Sequence, residues 1–123
     1  MSNPDLTDPQ HETISSARVE GTPVRNKEGE ELGTIHSVMI HKRSGQVGYA
    51  LLRLDTYLGT VGNVYPVPWA MLTYDRERHC YTADIDRDIL ENAPLLGLDE
   101  ADRPSNRIMD QHMYEFWGIE PVW

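Results

Sequence analysis

Apolar and small positions alternate most clearly in QVGYALLRL, where Val47, Tyr49 and Leu51 take one parity and Gly48, Ala50 and Leu52 the other. Successive side chains of a strand point to opposite faces, so this pattern predicts a strand with one bulky face and one face that begins small. Gly48 and Ala50 on the small face admit the close packing of a narrow barrel. Upstream, EELGTIHSVMIH carries Leu32, Ile35, Val38, Met39 and Ile40 out of strict alternation, and a β-bulge near Ser37 reconciles them. NVYPVPWAML and HCYTADI give two shorter strands around a turn at residues 74–78. Pro66 and Pro68 lack backbone donors, which predicts an edge or a bend in their segment. Turn signals at Asn26-Lys27-Glu28-Gly29, at Lys42-Arg43-Ser44-Gly45 and over residues 58–63 space these strands as in an antiparallel meander.

Helical periodicity enters late. A brief helix is predicted over residues 88–92, with Asp86 or Asp88 at its amino end and Pro94 preventing its continuation. In NRIMDQHMYEFWG, Met109, Met113, Phe116 and Trp117 fall on one helical face and Gly118 can end the turn, so the chain closes with an amphipathic helix. The opening stretch, MSNPDLTDPQHET, offers too little apolar surface to offset the entropy of ordering it. The expected organisation is a flexible arm over residues 1–13, one β-barrel domain over 14–98 and a helical extension over 99–123. A length of 123 residues accommodates one such domain.

Charge narrows the partners. With 11 Lys and Arg against 20 Asp and Glu, the formal charge is −9, and the mean field repels phosphate backbones and anionic lipid. Direct nucleic-acid binding is therefore not expected. No apolar run is long enough to span a membrane, and the amino terminus has neither a basic start nor an apolar run, so no membrane insertion and a cytoplasmic address are expected. Cys80 is the single cysteine and lies in a strand segment, which predicts a structural thiol.

Candidate chemistry fails on spacing. Asp84-Ile85-Asp86-Arg87-Asp88 resembles the start of a calcium loop, but the sixth and twelfth places hold Ile89 and Leu95 where glycine and glutamate are needed. His36 and His41 face opposite sides of a regular strand, although a bulge between them restores a common face. His79 and Cys80 are adjacent and diverge. No nucleophile elbow is present, and Gly59-Thr60-Val61-Gly62 lacks the third glycine and following helix of a dinucleotide site. The reading is of a protein that is not an enzyme and uses no cofactor or metal.

From Arg18 to Pro94 the chain carries an ordered set of motifs: Gly21-Thr22-Pro23-Val24, Gly29, Leu32-Gly33-Thr34-Ile35, Val38 and Ile40. Ser44-Gly45-Gln46-Val47, Tyr49-Ala50-Leu51-Leu52, Val67-Pro68-Trp69, Leu72 and Ala93-Pro94 complete it. In this order the set resembles the PRC-barrel family, which includes the cytoplasmic barrel of the photosynthetic reaction centre H subunit and a domain of a ribosome maturation factor. The resemblance implies an all-β fold, a small and partly open antiparallel barrel, with Gly21, Gly33, Gly45, Pro68 and Trp69 as structural positions. It also resembles stand-alone bacterial members in its tail, YEFWGIEPVW.

Met113, Phe116, Trp117 and Trp123 form an apolar group outside the barrel proper, which must be covered either by the chain's own barrel or by another copy. An open barrel also leaves a strand edge for symmetric association, so a homodimer is expected, with these residues as partner contacts. The expected function is a non-catalytic protein–protein interaction or assembly module. Alternatives are a ribosome-maturation-like factor binding a ribosomal protein, support of electron transfer at a membrane complex, and a small-ligand or enzymatic barrel with a cavity.

Overall fold

The computed structural model describes residues 13–54, 63–90, 92–97 and 105–121. Its strands are β1 (Pro23–Arg25), β2 (Glu31–Ile40), β3 (Val47–Leu54), β4 (Asn63–Pro68), β5 (Thr73–Asp75), β6 (Cys80–Thr82) and β7 (Leu96–Gly97). Helices are α1 (Ser16–Val19), α2 (Arg87–Leu90) and α3 (Arg107–Trp117), and a 3-10 turn spans Trp69–Met71. The predicted short helix is thus present, beginning one residue earlier than its sequence signals placed it. The arm over residues 1–13, apart from its last residue, the loop over 58–62 and Trp123 lie outside the described residues.

The strands form one seven-stranded sheet in the order β5-β6-β1-β2-β3-β4-β7. Every pairing is antiparallel except β1 with β6, which is parallel. This departs from a pure meander because the 3-10 turn carries the chain from β4 into β5 without reversing its direction. The same link forces the sheet to curl. β4 and β5 stand five strand steps apart in the ladder, about 24 Å on a flat sheet. Pro68 and Thr73 are joined by five backbone steps that reach at most about 18 Å. The sheet bends round to bring its ends together and stays open, as expected of a partly open barrel.

The bulge expected near Ser37 is present. Ile35 pairs with Leu52 and Ser37 with Leu51, which leaves His36 as the extra residue. Pro66 and Pro68 sit in a strand flanked on both sides, yet β7 pairs only with Asn63 and Val64. Beyond Val64, β4 is a local edge, and the Pro66 carbonyl points away from β3 to meet Trp117. An antiparallel residue's N–H and C=O point the same way, so the missing proline donors fall where no ladder partner exists.

Among the described residues, two apolar clusters result, and Trp117 packs against both. The inner one joins Val24, Leu32, Ile35, Ala50, Leu52, Tyr65, Val67, Ile85 and Leu90 with other buried residues inside the curl. Trp69 packs against it, its ring 5.4 Å from that of Tyr81. The outer cluster contains Tyr49, Leu51 and Val64 on the other face of β3 and β4, together with Met113 and Tyr114 of α3. The two parities of β3 therefore serve two cores.

Asn26 is the one buried polar residue among those described, and its turn satisfies it. Its Oδ1 accepts the Glu28 and Glu30 N–H groups at 3.1 and 2.9 Å, and its Nδ2 donates to Glu30 Oε1 at 2.9 Å. Arg87 donates from Nε to Glu30 Oε2 at 3.2 Å and from its terminal nitrogen to the Glu31 carbonyl, which ties α2 to the β1–β2 hairpin.

Candidate interaction surface

The last helix is well specified at both ends. The Asn106 side chain accepts the Met109 N–H at 2.9 Å, satisfying one of the amide donors that a helix start leaves unpaired. At the other end Gly118 adopts a left-handed conformation with φ 70°. Its N–H bonds the Glu115 carbonyl at 3.2 Å and the Ile119 N–H reaches back to Tyr114 at 3.1 Å, the bonding pattern of a Schellman motif. Ile119 folds against the outer cluster and completes the stop.

Three side chains fix α3 on the outer face of β3 and β4. The Tyr114 hydroxyl donates to the Gly48 carbonyl at 3.0 Å. The Trp117 indole N–H donates to the Pro66 carbonyl at 3.0 Å. Asp110 accepts the Tyr49 hydroxyl on Oδ1 at 2.9 Å and the Ser105 hydroxyl on Oδ2 at 3.0 Å. Met113 fills the space between, 2% exposed, and the Tyr49 and Tyr114 rings meet edge to face at 6.4 Å.

These contacts correct part of the sequence expectation. Met113 and Trp117 turn inward as an apolar face requires, but Phe116 is 39% and Met109 44% exposed. The buried side of α3 is centred on Asp110, Met113, Tyr114 and Trp117, rotated by about 60° from the purely apolar face at the helical pitch. The cause is chemical. Tyr114 and Asp110 bring polar atoms that answer the Gly48 carbonyl and the Tyr49 hydroxyl, and buried polar groups without such partners are costly. Their spacing of four residues on one helix face was the available signal.

Burial pushes the Tyr49 hydroxyl far above the usual tyrosine range, and the Asp110 carboxylate adds to the effect. Tyr114 is raised for the same two reasons in the same order. Both phenols stay protonated and act as donors. Burial likewise raises the Cys80 thiol, with a further contribution from Asp75, so it remains an unreactive thiol in the barrel wall.

The remaining sequence candidates fall apart in space or serve the fold. His36 Nδ1 lies 3.0 Å from Ser37 Oγ and His41 Nδ1 lies 3.4 Å from Ser44 Oγ, each in its own local contact. Asp84 pairs with Lys27 at 3.4 Å on the surface. No group of three or more His, Cys, Asp or Glu among the described residues is placed to hold a metal ion. Gly21 and Gly45 both have positive φ at turns, and a Cβ at Gly33 would run into the Arg53 carbonyl of β3. No helix among the described residues is long and apolar enough to cross a membrane.

What α3 leaves outward is a run of Ile108, 68% exposed, Met109 and Phe116. Ile108, His112 and Phe116 follow one another at four-residue spacing, with Met109 beside them. On the opposite flank Arg107, Gln111, Tyr114 and Glu120 line an open groove of about 470 Å³.

Comparison with protein families finds a match to the PRC-barrel domain over residues 11–90. A search of curated proteins returned no match. The matched stretch takes in α1, β1 to β6 and all of α2, and α3 lies beyond it.

Proposed function

From the premise that the chain belongs to the PRC-barrel domain family, we propose that it is a non-catalytic interaction module that self-associates through the outward side of α3. The observation that carries this reading is the exposed run of Ile108, Met109 and Phe116 on a helix whose other side is already fixed. Large apolar side chains held in place by a rigid support bury area at little cost in conformational entropy, and aromatic residues and methionine are enriched where proteins meet. Tyr49, Ser105 and Asp110, the most tightly linked polar side chains of this region, are engaged in anchoring the helix. That use leaves them a structural part in the module.

The net charge of −9 sets the class of further partner as a protein surface of neutral or basic character, with no direct contact to nucleic acid. Its place of work is the cytoplasm in this reading. Light scattering coupled to size exclusion tests the self-association. A species of about twice the 14.1 kDa chain mass that reverts to monomer in Phe116→Glu is expected. A monomer at every concentration up to the millimolar range would overturn it.

A further inference from the structure

The free edge of β4 offers a one-sided set of groups. Beyond Val64, β4 has no ladder neighbour on the side away from β3 among the described residues. Pro66 and Pro68 are the residues whose donors would face that side, and proline has none, so this stretch presents carbonyl oxygen without N–H. A strand laid beside it would bring acceptors that find no donor, and a buried polar group left unpaired is costly. An indole has the opposite inventory, one N–H donor and no acceptor. Trp117 brings that donor to the Pro66 carbonyl at 3.0 Å. Its ring packs against both apolar clusters and so reaches round the edge of β4 from the outer face to the inner core, whereas Met113 and Tyr114 belong to the outer cluster.

We infer that Trp117 closes the open seam of the barrel in place of a strand neighbour, so that α3 is a latch on the inner core as well as a cover for the outer face. The latch can open. A single helix held by one apolar cluster and by side-chain hydrogen bonds from Asp110, Tyr114 and Trp117 is the kind of unit that opens below the free energy of global unfolding. When α3 lifts, the inner core is laid bare at β4 together with the outer face, while the ladder from β1 to β3 stays paired. This role lies on the inner side of α3 and holds whether or not the outward side binds a second copy.

Thiol labelling of the full-length chain at low concentration tests the latch. Cys80 is the single cysteine, and in a Cys80→Ser background one thiol is placed by Val67→Cys, Leu51→Cys or Leu32→Cys. Val67 belongs to the inner cluster on the free stretch of β4, Leu51 to the outer cluster, and Leu32 to the inner cluster on β2, two strands away. All three side chains are buried, so the rate of reaction with an aromatic disulfide reagent, relative to that of the urea-unfolded chain, reads how often each site opens. The latch predicts that Val67→Cys and Leu51→Cys open at one frequency and with one dependence on low urea, well above Leu32→Cys. Trp117→Phe should raise both rates about two- to tenfold and leave Leu32→Cys unchanged. A Val67→Cys site that opens only as often as Leu32→Cys overturns the latch, because the inner core then stays shut when α3 lifts. A common rate at all three sites overturns it too, by denying α3 an opening of its own, and so does a Val67→Cys rate that Trp117→Phe does not move.

Discussion

An alanine at position 33 would place its methyl carbon 2.1 Å from the Arg53 carbonyl oxygen and 3.0 Å from the Leu54 Cα. Both are backbone atoms of the neighbouring strand, so relief requires β2 and β3 to part. Gly33→Ala is expected to destabilise the fold by about 1–3 kcal/mol, in the range of overpacked sites, read as a lowered midpoint in thermal or urea unfolding. The buried tyrosines make a second prediction. Tyr49, Tyr81 and Tyr114 are raised in the folded chain, first by burial. In the unfolded chain they ionise near pH 10. A proton held more tightly in the folded state contributes stability that is fully present below the unfolded value and is lost as pH rises through the folded one. Unfolding midpoints should therefore fall from about pH 10 upward, and a phenolate absorbance titration should show these three ionising at higher pH in the folded chain than in the unfolded one. The sequence announces Gly33 through its place in the family pattern and Tyr49 through its bulky parity. It does not announce that Tyr49 would meet Asp110, because that contact joins residues 61 positions apart.

At the level of elements, α3 was legible as a helix and its seat was not. The Met109, Met113, Phe116 and Trp117 spacing and Gly118 define its existence and its end. Its rotation depends on which carbonyls β3 and β4 offer, and no local pattern encodes that. The bulge at His36 was legible because strict alternation fails there, whereas the parallel pairing of β1 with β6 joins segments far apart in the chain. The docking predicts a graded series. Met113→Ala removes a side chain 2% exposed at the centre of the outer cluster and should cost about 2–5 kcal/mol. Trp117→Phe keeps a ring but loses the bond to Pro66, and should cost about 0.5–1.5 kcal/mol. Hydrogen exchange followed by mass spectrometry should find the added opening concentrated over residues 107–117 in both variants, with β2 and the inner half of the barrel retaining their protection.

For the molecule as a whole, the short link between β4 and β5 made the curl inevitable once the strand order was set, and the strand order was the part sequence pattern alone left open. The family resemblance supplied the partly open barrel, while the order itself, with its parallel pair of β1 and β6, came only with the structure. The proposed self-association must also work against like charge, since each copy carries −9. Repulsion between acidic surfaces is screened over about 10 Å at 0.1 M salt, so the dimer should tighten as ionic strength rises and as pH falls toward the isoelectric point near 4.8. Sedimentation equilibrium across a salt series reads the effect directly, and a dimer weakened by salt would point to opposed charges at the interface instead. One last consequence belongs to β3, whose residues 48–52 are buried without interruption because the curl covers one side and α3 the other. Most surface-lining strands tolerate lysine at every second place. In a comprehensive substitution library this strand should show an unbroken block of intolerance, and deleting α3 should restore the alternation by returning Tyr49 and Leu51 to water.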